Sequence, residues 1–200
     1  MKKIPSLFVR DYTTKKVGNV LNPGSEWVAM GEGTATRKMD GIALLMKDGV
    51  PYKRYDAKTG RTPPETFVPA QEHPDPVTGH WPGWVPMKLP DDRILFEGLE
   101  WGKTNLFPEG IPDGTYEVCG PRIGTRHGKN PENLSEQRLY VHGDDVLADC
   151  PRDFEGIMKY LENSPMEGIV WHHPDGRMVK IKKNDFPYGP APEQHPTLER

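Results

Sequence analysis

The chain has 200 residues, enough for one large domain or for one domain with a small appendage. Its net charge of -3 excludes binding to nucleic acid by bulk positive charge, so contact with a polyanion needs a local basic groove or a metal ion. A hydrophobic fraction of 34%, with 22 Pro and 21 Gly, predicts a lean core and long connections.

We find no targeting or membrane signal in the sequence. The start, MKKIPSLFVR, is basic but lacks the apolar stretch of a signal peptide. No run approaches the roughly 20 apolar residues of a membrane span. Cys119 and Cys150 lack the spacing of metal ligands, and we expect two reduced thiols rather than a disulfide. The expected location is therefore the cytoplasm, without membrane contact.

The first half of the chain predicts short strands separated by loops. Residues 1–37 are interpreted as irregular, with short strand segments whose apolar parts are LFVRDY and EWVAM. The segment GIALLMKDGVPYKRYD contains two β-type runs joined by Asp48-Gly49, which predicts a hairpin. Residues 57–93 are rich in Pro and in turn signals, which indicates a functional loop or a family-specific insertion. Its Trp81 and Trp84 are candidates for stacking on bases or for anchoring the loop.

The second half predicts further strands, one helix and a second hairpin. RILFEGLEW and GTYEVCGPRIG are interpreted as strands. Residues 152–163 predict an amphipathic helix, because Phe154, Ile157, Met158 and Leu161 recur at helical spacing. The segment EGIVWHHPDGRMVKIKK predicts a hairpin, and residues 187–200 form a Pro-rich tail.

Lys38 is the first candidate for chemistry. It stands in Lys-Met-Asp-Gly at the mouth of the first predicted hairpin, after the Gly- and Thr-rich approach GEGTATR. A lysine acts as a nucleophile only when its amine is neutral, which requires nearby cations or a desolvated pocket. Alone, this tetrapeptide is also compatible with an ordinary turn before a strand.

Lys180 and Lys182 supply two more cations on the second hairpin. They are two residues apart, so both amines project from one face of a strand, where a nucleotide triphosphate would pair with them. A two-residue loop at Asp175-Gly176 places Trp171 opposite Lys180 and Glu167 on the shared face. A type I turn with a bulged Gly shifts the register by one and sends Glu167 to the other face. The turn residues leave both registers open.

Four motifs occur in the order and with roughly the separations of the covalent nucleotidyltransferases. They resemble motifs I, III, IV and V of ATP-dependent DNA and RNA ligases and of GTP-dependent capping enzymes, and the resemblance covers about residues 26 to 183. The motifs are Lys38-Met39-Asp40-Gly41, Tyr116-Glu117-Val118-Cys119-Gly120, Glu167-Gly168-Ile169-Val170 and Val179-Lys180-Ile181-Lys182.

The resemblance implies a covalent mechanism with ATP and Mg²⁺ or Mn²⁺. Lys38 is the residue that would attack the α-phosphate to form lysyl-AMP, and Glu167 resembles the acid that helps to hold the cation. Lys180 and Lys182 resemble the pair that grips the α-phosphate, and we expect their charges to lower the pKa of Lys38. Asp40 is expected to shape the loop and to assist the metal from a distance.

Three further residues are implied as nucleotide or substrate contacts. Arg54 resembles the arginine that contacts the ribose and the incoming polynucleotide end. Glu117 resembles the carboxylate that hydrogen-bonds the ribose. An aromatic side chain between motifs III and IV commonly stacks on the base in this family, and Tyr140 is the candidate here.

The resemblance implies an α+β fold with antiparallel sheets around a nucleotide cleft. This is the ATP-grasp-like architecture of a DNA-ligase adenylation domain, here expected over residues 1–186. About 17 residues follow Lys183, so no downstream OB-fold domain is expected. Arg37 stands where many relatives have Glu, and we infer no base contact there.

The leading functional expectation is an ATP-dependent RNA ligase that joins ends carrying a 5′-phosphate and a 3′-hydroxyl. The alternatives are a DNA ligase or a guanylyltransferase, and, outside enzymes, a nucleotide-sensing or nucleic-acid-binding module. A basic cluster after motif III is compatible with phosphate contact or with a solvated loop; it comprises Arg122, Arg126, His127 and Lys129. The histidines lack a zinc-ligand pattern, and His172 and His173 are expected to be surface or structural.

Overall fold

The computed structural model describes residues 1–123 and 132–188, and its strands form antiparallel sheets. The strands are Phe8–Arg10 (β1), Val17–Leu21 (β2), Thr34–Lys38 (β3), Ile42–Lys47 (β4), Val50–Ala57 (β5), Val68–Pro69 (β6), Trp81–Pro86 (β7), Gly114–Cys119 (β8), Arg138–Val141 (β9), Gly168–His172 (β10) and Met178–Lys182 (β11). The helices are Glu26–Ala29 (α1), Arg93–Asn105 (α2) and Phe154–Glu162 (α3).

Two sheets carry most of the structure. One has three strands in the order β11-β10-β3, and the other has six in the order β6-β7-β5-β4-β8-β9; β1 and β2 form a separate pair. Each of the larger sheets has an apolar face covered by a helix. The predicted α+β class with antiparallel sheets and few helices is confirmed.

The first hairpin forms as predicted. Lys47 pairs with Val50, which leaves Asp48 and Gly49 as a two-residue loop between β4 and β5. Both loop residues have positive φ, 52° and 73°, as a type I′ turn requires. The right-handed twist of the two strands matches this turn, so the Asp-Gly signal fixes the register.

The second hairpin takes the bulged register. Lys180 pairs with Val170 and Val179 with Trp171, so the pairing of Trp171 with Lys180 that a two-residue loop requires is wrong. Gly176 has a φ of 90° and its amide donates to the carbonyl of His173 at 2.9 Å. Left-handed Gly at this position is what the bulged turn needs.

The two longer helices, α2 and α3, each pack against a sheet. Of these two, only α3 was predicted as a helix. Phe154, Ile157 and Leu161 of α3 are buried against the three-stranded sheet. The expected strand RILFEGLEW is wrong, because these residues lie in α2. The missed signal is the spacing of its buried residues, which is helical; they are Leu95, Gly98, Leu99 and Gly102.

Two glycines allow α2 to approach the six-stranded sheet closely. A Cβ added at Gly98 would lie 2.5 Å from Cγ1 of Val118, and one added at Gly102 would lie 2.5 Å from Cδ2 of Leu139. The helix therefore packs directly on β8 and β9. The other expected strand that fails is EWVAM, of which Glu26–Ala29 forms the short helix α1.

The Pro-rich stretch 57–93 is more ordered than a loop. It contains β6 and β7, and β7 pairs with β5 along its length. The carbonyl of Pro82 accepts a hydrogen bond from Ala70 beyond β6. A residue's N and C=O point to the same edge of a strand, so the ring nitrogen of Pro82 also points away from β5. The missing N–H therefore costs no bond to β5, which is why Pro did not prevent this strand.

Two apolar clusters form the core, one behind each large sheet. The cluster behind the three-stranded sheet includes Leu7, Phe8, Trp27, Phe154, Ile157, Leu161, Ile169, Trp171 and Ile181. The cluster behind the six-stranded sheet includes Leu44, Met46, Leu95, Leu99, Tyr116, Val118 and Leu139. The faces opposite these clusters carry the polar residues considered next.

Three smaller expectations concern the cysteines, the tail and membranes. Cys119 and Cys150 are free thiols, as predicted. Tyr188, at the start of the predicted tail, donates from its hydroxyl to the carbonyl of Met158 at 3.2 Å, and residues 189–200 lie outside the described part. Among the helices in residues 1–123 and 132–188, none is long and apolar enough to cross a membrane.

Candidate active site

The two large sheets turn their polar faces towards a common cleft of about 680 Å³. This volume lies in the range of small-molecule sites. The three-stranded sheet contributes Thr36, Lys38, Val170, His172, Met178 and Lys180 to the lining. The six-stranded sheet contributes Ala43, Arg54, Asp56, Pro82, Thr115 and Glu117. Sequence motifs I, III and V therefore meet at one place.

Lys38 is the last residue of β3 and pairs across the sheet with Gly168 of β10. Its amine forms an ion pair with Glu167 and also donates to the carbonyl of Met39 at 3.3 Å. The side chain is only 20% exposed. A cationic amine with so little solvent needs a carboxylate partner, and Glu167 provides it.

Glu167 connects Lys38 with Lys182. Its Oε1 lies 2.7 Å from the Nζ of Lys182, while its Oε2 accepts from Lys38. Burial raises the pKa of Glu167, but the two lysines outweigh burial and the net pKa is lowered. The carboxylate is thus ionised and shared.

Strand alternation in the bulged register places Glu167 on the other face, and this expectation is wrong. Glu167 precedes β10, which begins at Gly168, so alternation along the strand does not fix its side chain. The carboxylate reaches Lys182, whose own side chain shares a face with Lys180.

The glycines of motifs I and IV permit close backbone approach. A Cβ at Gly41 would lie 2.3 Å from the carbonyl oxygen of Val118, and one at Gly168 would lie 2.1 Å from that of Ile181. Gly41 therefore holds the Lys38 loop against β8, and Gly168 holds the Glu167 end of β10 against β11. Side chains larger than hydrogen at either position would separate these segments.

The pKa of Lys38 is raised, contrary to the expectation that neighbouring lysines lower it. Burial alone lowers the pKa of Lys38, but the charges of Glu167, Glu117 and Asp40 together outweigh burial. Of Lys38 and Lys180, the lysine with a lowered pKa is Lys180. Burial and the charges of Lys38 and Lys182 lower the pKa of Lys180 to about 8. The pKa values of Lys38 and Lys180 shift in opposite directions because Glu167 forms an ion pair with Lys38.

Arg54 lies on β5 within the cleft lining, as the resemblance implies for a substrate contact. Its Nε is 3.0 Å from Oδ1 of Asp56, its Nη1 donates to the carbonyl of Met1 at 2.6 Å, and its guanidinium lies 5.5 Å from the ring centre of Trp84. Trp84 is 2% exposed. It supports Arg54 and has no surface for stacking on a base.

Trp81 also anchors its segment. Its indole N–H donates to the carbonyl of Gln71 at 2.8 Å, and its ring packs edge-on against Phe67 at 5.4 Å. Of the two interpretations of these tryptophans, loop anchoring matches the contacts in the structure.

Glu117 lies in the cleft beside a histidine that sequence reasoning did not select. Its Oε2 is 2.8 Å from Nε2 of His142. Tyr140 pairs with Glu117 between β8 and β9, so the two side chains share a face of the sheet. Tyr140 is half-buried, whereas His142, two residues further on, lies in the cleft lining. Base stacking by Tyr140 stays a prediction.

His172 is a second cleft residue that the sequence interpretation set aside as surface or structural. Its Nε2 lies 3.0 Å from the hydroxyl of Thr36, which also donates to the carbonyl of Val170 at 3.2 Å. Burial, followed by the charge of His142, lowers the pKa of His172. Neighbouring His173 points elsewhere and contacts Glu32 at 2.8 Å.

The remaining candidates do not form a site within the described residues. Arg122 forms an ion pair with Glu97, while Arg126, His127 and Lys129 of the predicted basic cluster lie outside the described part. Over residues 1–123 and 132–188, no three His, Cys, Asp or Glu side chains are grouped so as to enclose a metal ion.

Comparison with known protein families gives no match. Among individual proteins, the chain is 25% identical over 158 residues to RNA ligase 1 of Pongo abelii, which covers 60% of this chain and 47% of that protein. RNA ligase 1 of Rattus norvegicus is 26% identical over 153 residues, with the same coverage. That of Danio rerio is 27% identical over 138 residues, covering 56% and 42%.

These similarities support an RNA ligase-like relationship. The chain spans about half the length of the curated relatives that it matches. The relationship agrees with the cleft between the two sheets, which Lys38 lines, and with the contacts of Lys38 and Lys182 to Glu167.

Proposed function

We propose that this chain is an ATP-dependent polynucleotide ligase, acting on RNA, that forms a lysyl-AMP intermediate at Lys38. One observation carries the proposal: Lys38 and Lys182 share the carboxylate of Glu167 beside a cleft of nucleotide size. RNA is preferred to DNA because the relatives are named RNA ligases.

In the first step, the neutral amine of Lys38 attacks the α-phosphorus of ATP. An N–P bond forms, the P–O bond to pyrophosphate breaks, and the proton that the amine loses passes to the departing pyrophosphate. Lys180 and Lys182 neutralise charge on the α-phosphate as it becomes five-coordinate. Because its raised pKa keeps it protonated in the resting structure, the Lys38 amine must first leave Glu167 and give one proton to the solvent.

Glu167 and Asp40 are the residues that would hold a divalent cation. Burial and then the charge of Glu167 raise the pKa of Asp40, although Lys38 and Lys182 lower it. Mg²⁺ commonly uses one or two carboxylates together with substrate phosphates, so a full protein cage is unnecessary. When bound between Glu167 and Asp40, the cation would neutralise charge on the substrate phosphates.

In the later steps, AMP passes from Lys38 to a 5′-phosphate, and a 3′-hydroxyl then displaces AMP as the strands join. We assign Arg54 to the polynucleotide end; its guanidinium lies in the cleft and contacts Trp84 and Asp56, which supports this role. We assign Glu117, which contacts His142, to the ribose hydroxyls. Covalent catalysis thereby divides ligation into three displacements.

The test is intact-mass measurement after incubation with Mg²⁺ and either ATP or GTP. Wild-type protein is expected to gain one AMP from ATP, Lys38→Ala is expected to gain none, and Lys58→Ala, an exposed control outside the cleft, is expected to match wild type. Gel assays with 5′-phosphorylated RNA and DNA then identify the strand. Binding of ATP without any adduct, under every nucleotide and metal condition, would instead indicate a nucleotide-sensing module.

A further inference from the structure

The segment Met1–Ile4 forms part of the cleft lining, although no sequence motif marks it. The backbone that follows is attached to the outer edge of β11. The amide of Lys180 donates to the carbonyl of Pro5 at 2.9 Å, and the amide of Leu7 donates to the carbonyl of Lys180 at 2.7 Å. The N-terminal segment therefore extends the three-stranded sheet beyond Lys180.

Lys3 is held in this segment by the Pro-rich stretch. Its Nζ lies 2.9 Å from Oδ1 of Asp75 and 3.3 Å from the hydroxyl of Thr78. Asp75 is itself fixed, because the amide and the hydroxyl of Thr78 both donate to its Oδ1 at 2.8 Å, and the amide of Gly79 donates to its carbonyl. The hydrogen-bonded turn at 75–79 therefore fixes the position of the Lys3 amine.

An ammonium group has three N–H donors. Asp75 and Thr78 account for two of those on Lys3, which leaves one for a ligand in the cleft. Thr78 and His80 also belong to the cleft lining, so this donor lies at the wall of the same cavity.

Across the sheet, the N-terminal segment that carries Lys3 lies on the far side of Lys180 from Lys38. Lys38 is on β3, and β10, β11 and the N-terminal segment follow in turn across the sheet. Three spacings of about 4.8 Å separate the first from the last. A phosphate chain that leaves Lys38 towards Lys180 therefore continues towards Lys3. The charge of Lys3 is also among the causes that lower the pKa of Lys180, after burial and nearer lysines.

We propose that Lys3, positioned by Asp75 and Thr78, binds the outer phosphates of ATP and the departing pyrophosphate. The proposal rests on the proposed function, and it assigns the Pro-rich stretch a role in building the phosphate site. In-line displacement requires the leaving group to lie opposite the attacking amine, and the order of strands runs from Lys38 past Lys180 to the N-terminal segment, where Asp75 and Thr78 hold Lys3. Lys38, Lys180 and Lys182 remain with the α-phosphate.

The chemistry separates this role from a merely structural one. Pyrophosphate takes part in lysyl-AMP formation and in its reversal, but not in the transfer of AMP to RNA. Lys3→Ala is therefore expected to raise the KM for ATP and the pyrophosphate concentration needed for reversal by about tenfold, the value of one charged hydrogen bond. Transfer of AMP from isolated lysyl-AMP protein to 5′-phosphorylated RNA is expected to be unchanged.

The experiment compares wild type, Lys3→Ala, Lys3→Arg and the exposed control Lys58→Ala. Lys3→Arg is expected to keep most pyrophosphate affinity, and Lys58→Ala all of it. The proposal is overturned if Lys3→Ala matches Lys58→Ala in both pyrophosphate-dependent measurements, or if AMP transfer falls to the same extent. Titration calorimetry with magnesium pyrophosphate adds a readout that needs no catalysis.

Titration calorimetry with magnesium pyrophosphate distinguishes failure of the ligase proposal from failure of the Lys3 proposal. If wild type forms no adduct yet binds pyrophosphate more tightly than Lys3→Ala does, the ligase assignment fails and the phosphate site stands. If wild type forms the adduct but binding does not depend on Lys3, the ligase assignment stands and the Lys3 inference fails. If wild type neither forms the adduct nor binds pyrophosphate, both fail.

Discussion

Replacing Lys180 by Met is expected to stabilise the protein while impairing its reaction with ATP. Burial and the charges of Lys38 and Lys182 lower the pKa of Lys180 to about 8. The folded chain therefore disfavours the protonated amine, which the unfolded chain accepts freely. Met has a similar length and flexibility and carries no charge, so it removes this cost without leaving a cavity.

The magnitude follows from the two pKa values. A fall from the ordinary 10.5 to about 8 corresponds to about 3 kcal/mol at pH 7, since one pKa unit is about 1.4 kcal/mol. Between pH 8 and 10.5, the folded chain releases a proton that the unfolded chain retains, so wild-type stability rises with pH. The advantage of Lys180→Met should thus decrease to about 1 kcal/mol at pH 9.5.

Urea unfolding at pH 7 and pH 9.5 measures this difference, and Lys182→Met is the matched control. Lys182 lies two residues away on the same strand but is paired with Glu167 at 2.7 Å. Lys182→Met removes one of the two ion-pair partners of Glu167, and we expect it to lower the free energy of unfolding. The reasoning is refuted if Lys180→Met is no more stable than wild type at pH 7, or if its advantage does not decrease at pH 9.5.

Three further substitutions test individual contacts. Gly41→Ala places a Cβ 2.3 Å from the carbonyl of Val118, and urea unfolding should show a loss of about 1–3 kcal/mol together with slower adduct formation; wild-type stability would contradict the close approach. Glu167→Gln keeps the shape but removes the charge beside Lys38, and the rate of AMP incorporation should decrease by about 100-fold at any Mg²⁺ concentration. Arg54→Lys keeps the charge but loses the planar guanidinium, so gel assays should show normal lysyl-AMP formation with about tenfold slower joining of RNA ends; equal loss in both steps would count against an end-binding role.

The residues that meet in the cleft could be identified from the sequence because each stands in a short, local pattern. The motifs indicate Lys38, Glu167, Lys180 and Lys182, and β3, β10 and β11 bring these residues together. The Asp48-Gly49 turn was equally predictable, since positive φ at both residues depends on local sequence alone.

The features that failed depend on tertiary contacts. The strand expected over RILFEGLEW is instead part of helix α2, in which Gly98 and Gly102 permit the close approach to β8 and β9. The strand β7 was hidden by Pro82, whose nitrogen faces away from β5. The raised pKa of Lys38 depends on where one carboxylate of a distant hairpin points.

The same limit applies to the histidines of the cleft. His142 and His172 carry no motif, and their proximity to Glu117 and Thr36 arises only when two sheets face each other. The order of residues along the chain does not indicate which side chains will face each other across a cleft. Lys3, near the start of the chain and far in sequence from the other lysines, is hidden for the same reason.

Peptide mapping of the AMP adduct by mass spectrometry tests the proposed mechanism most directly, because Lys180 is a rival amine within the same cleft. Lys180 has the lower pKa, whereas Lys38 stands in the motif I position and contacts Glu167. We expect AMP on the peptide containing Lys38 and on no other peptide. Recovery of AMP on Lys180, or an unmodified Lys38 after incubation with ATP and Mg²⁺ or Mn²⁺, would contradict the proposed mechanism.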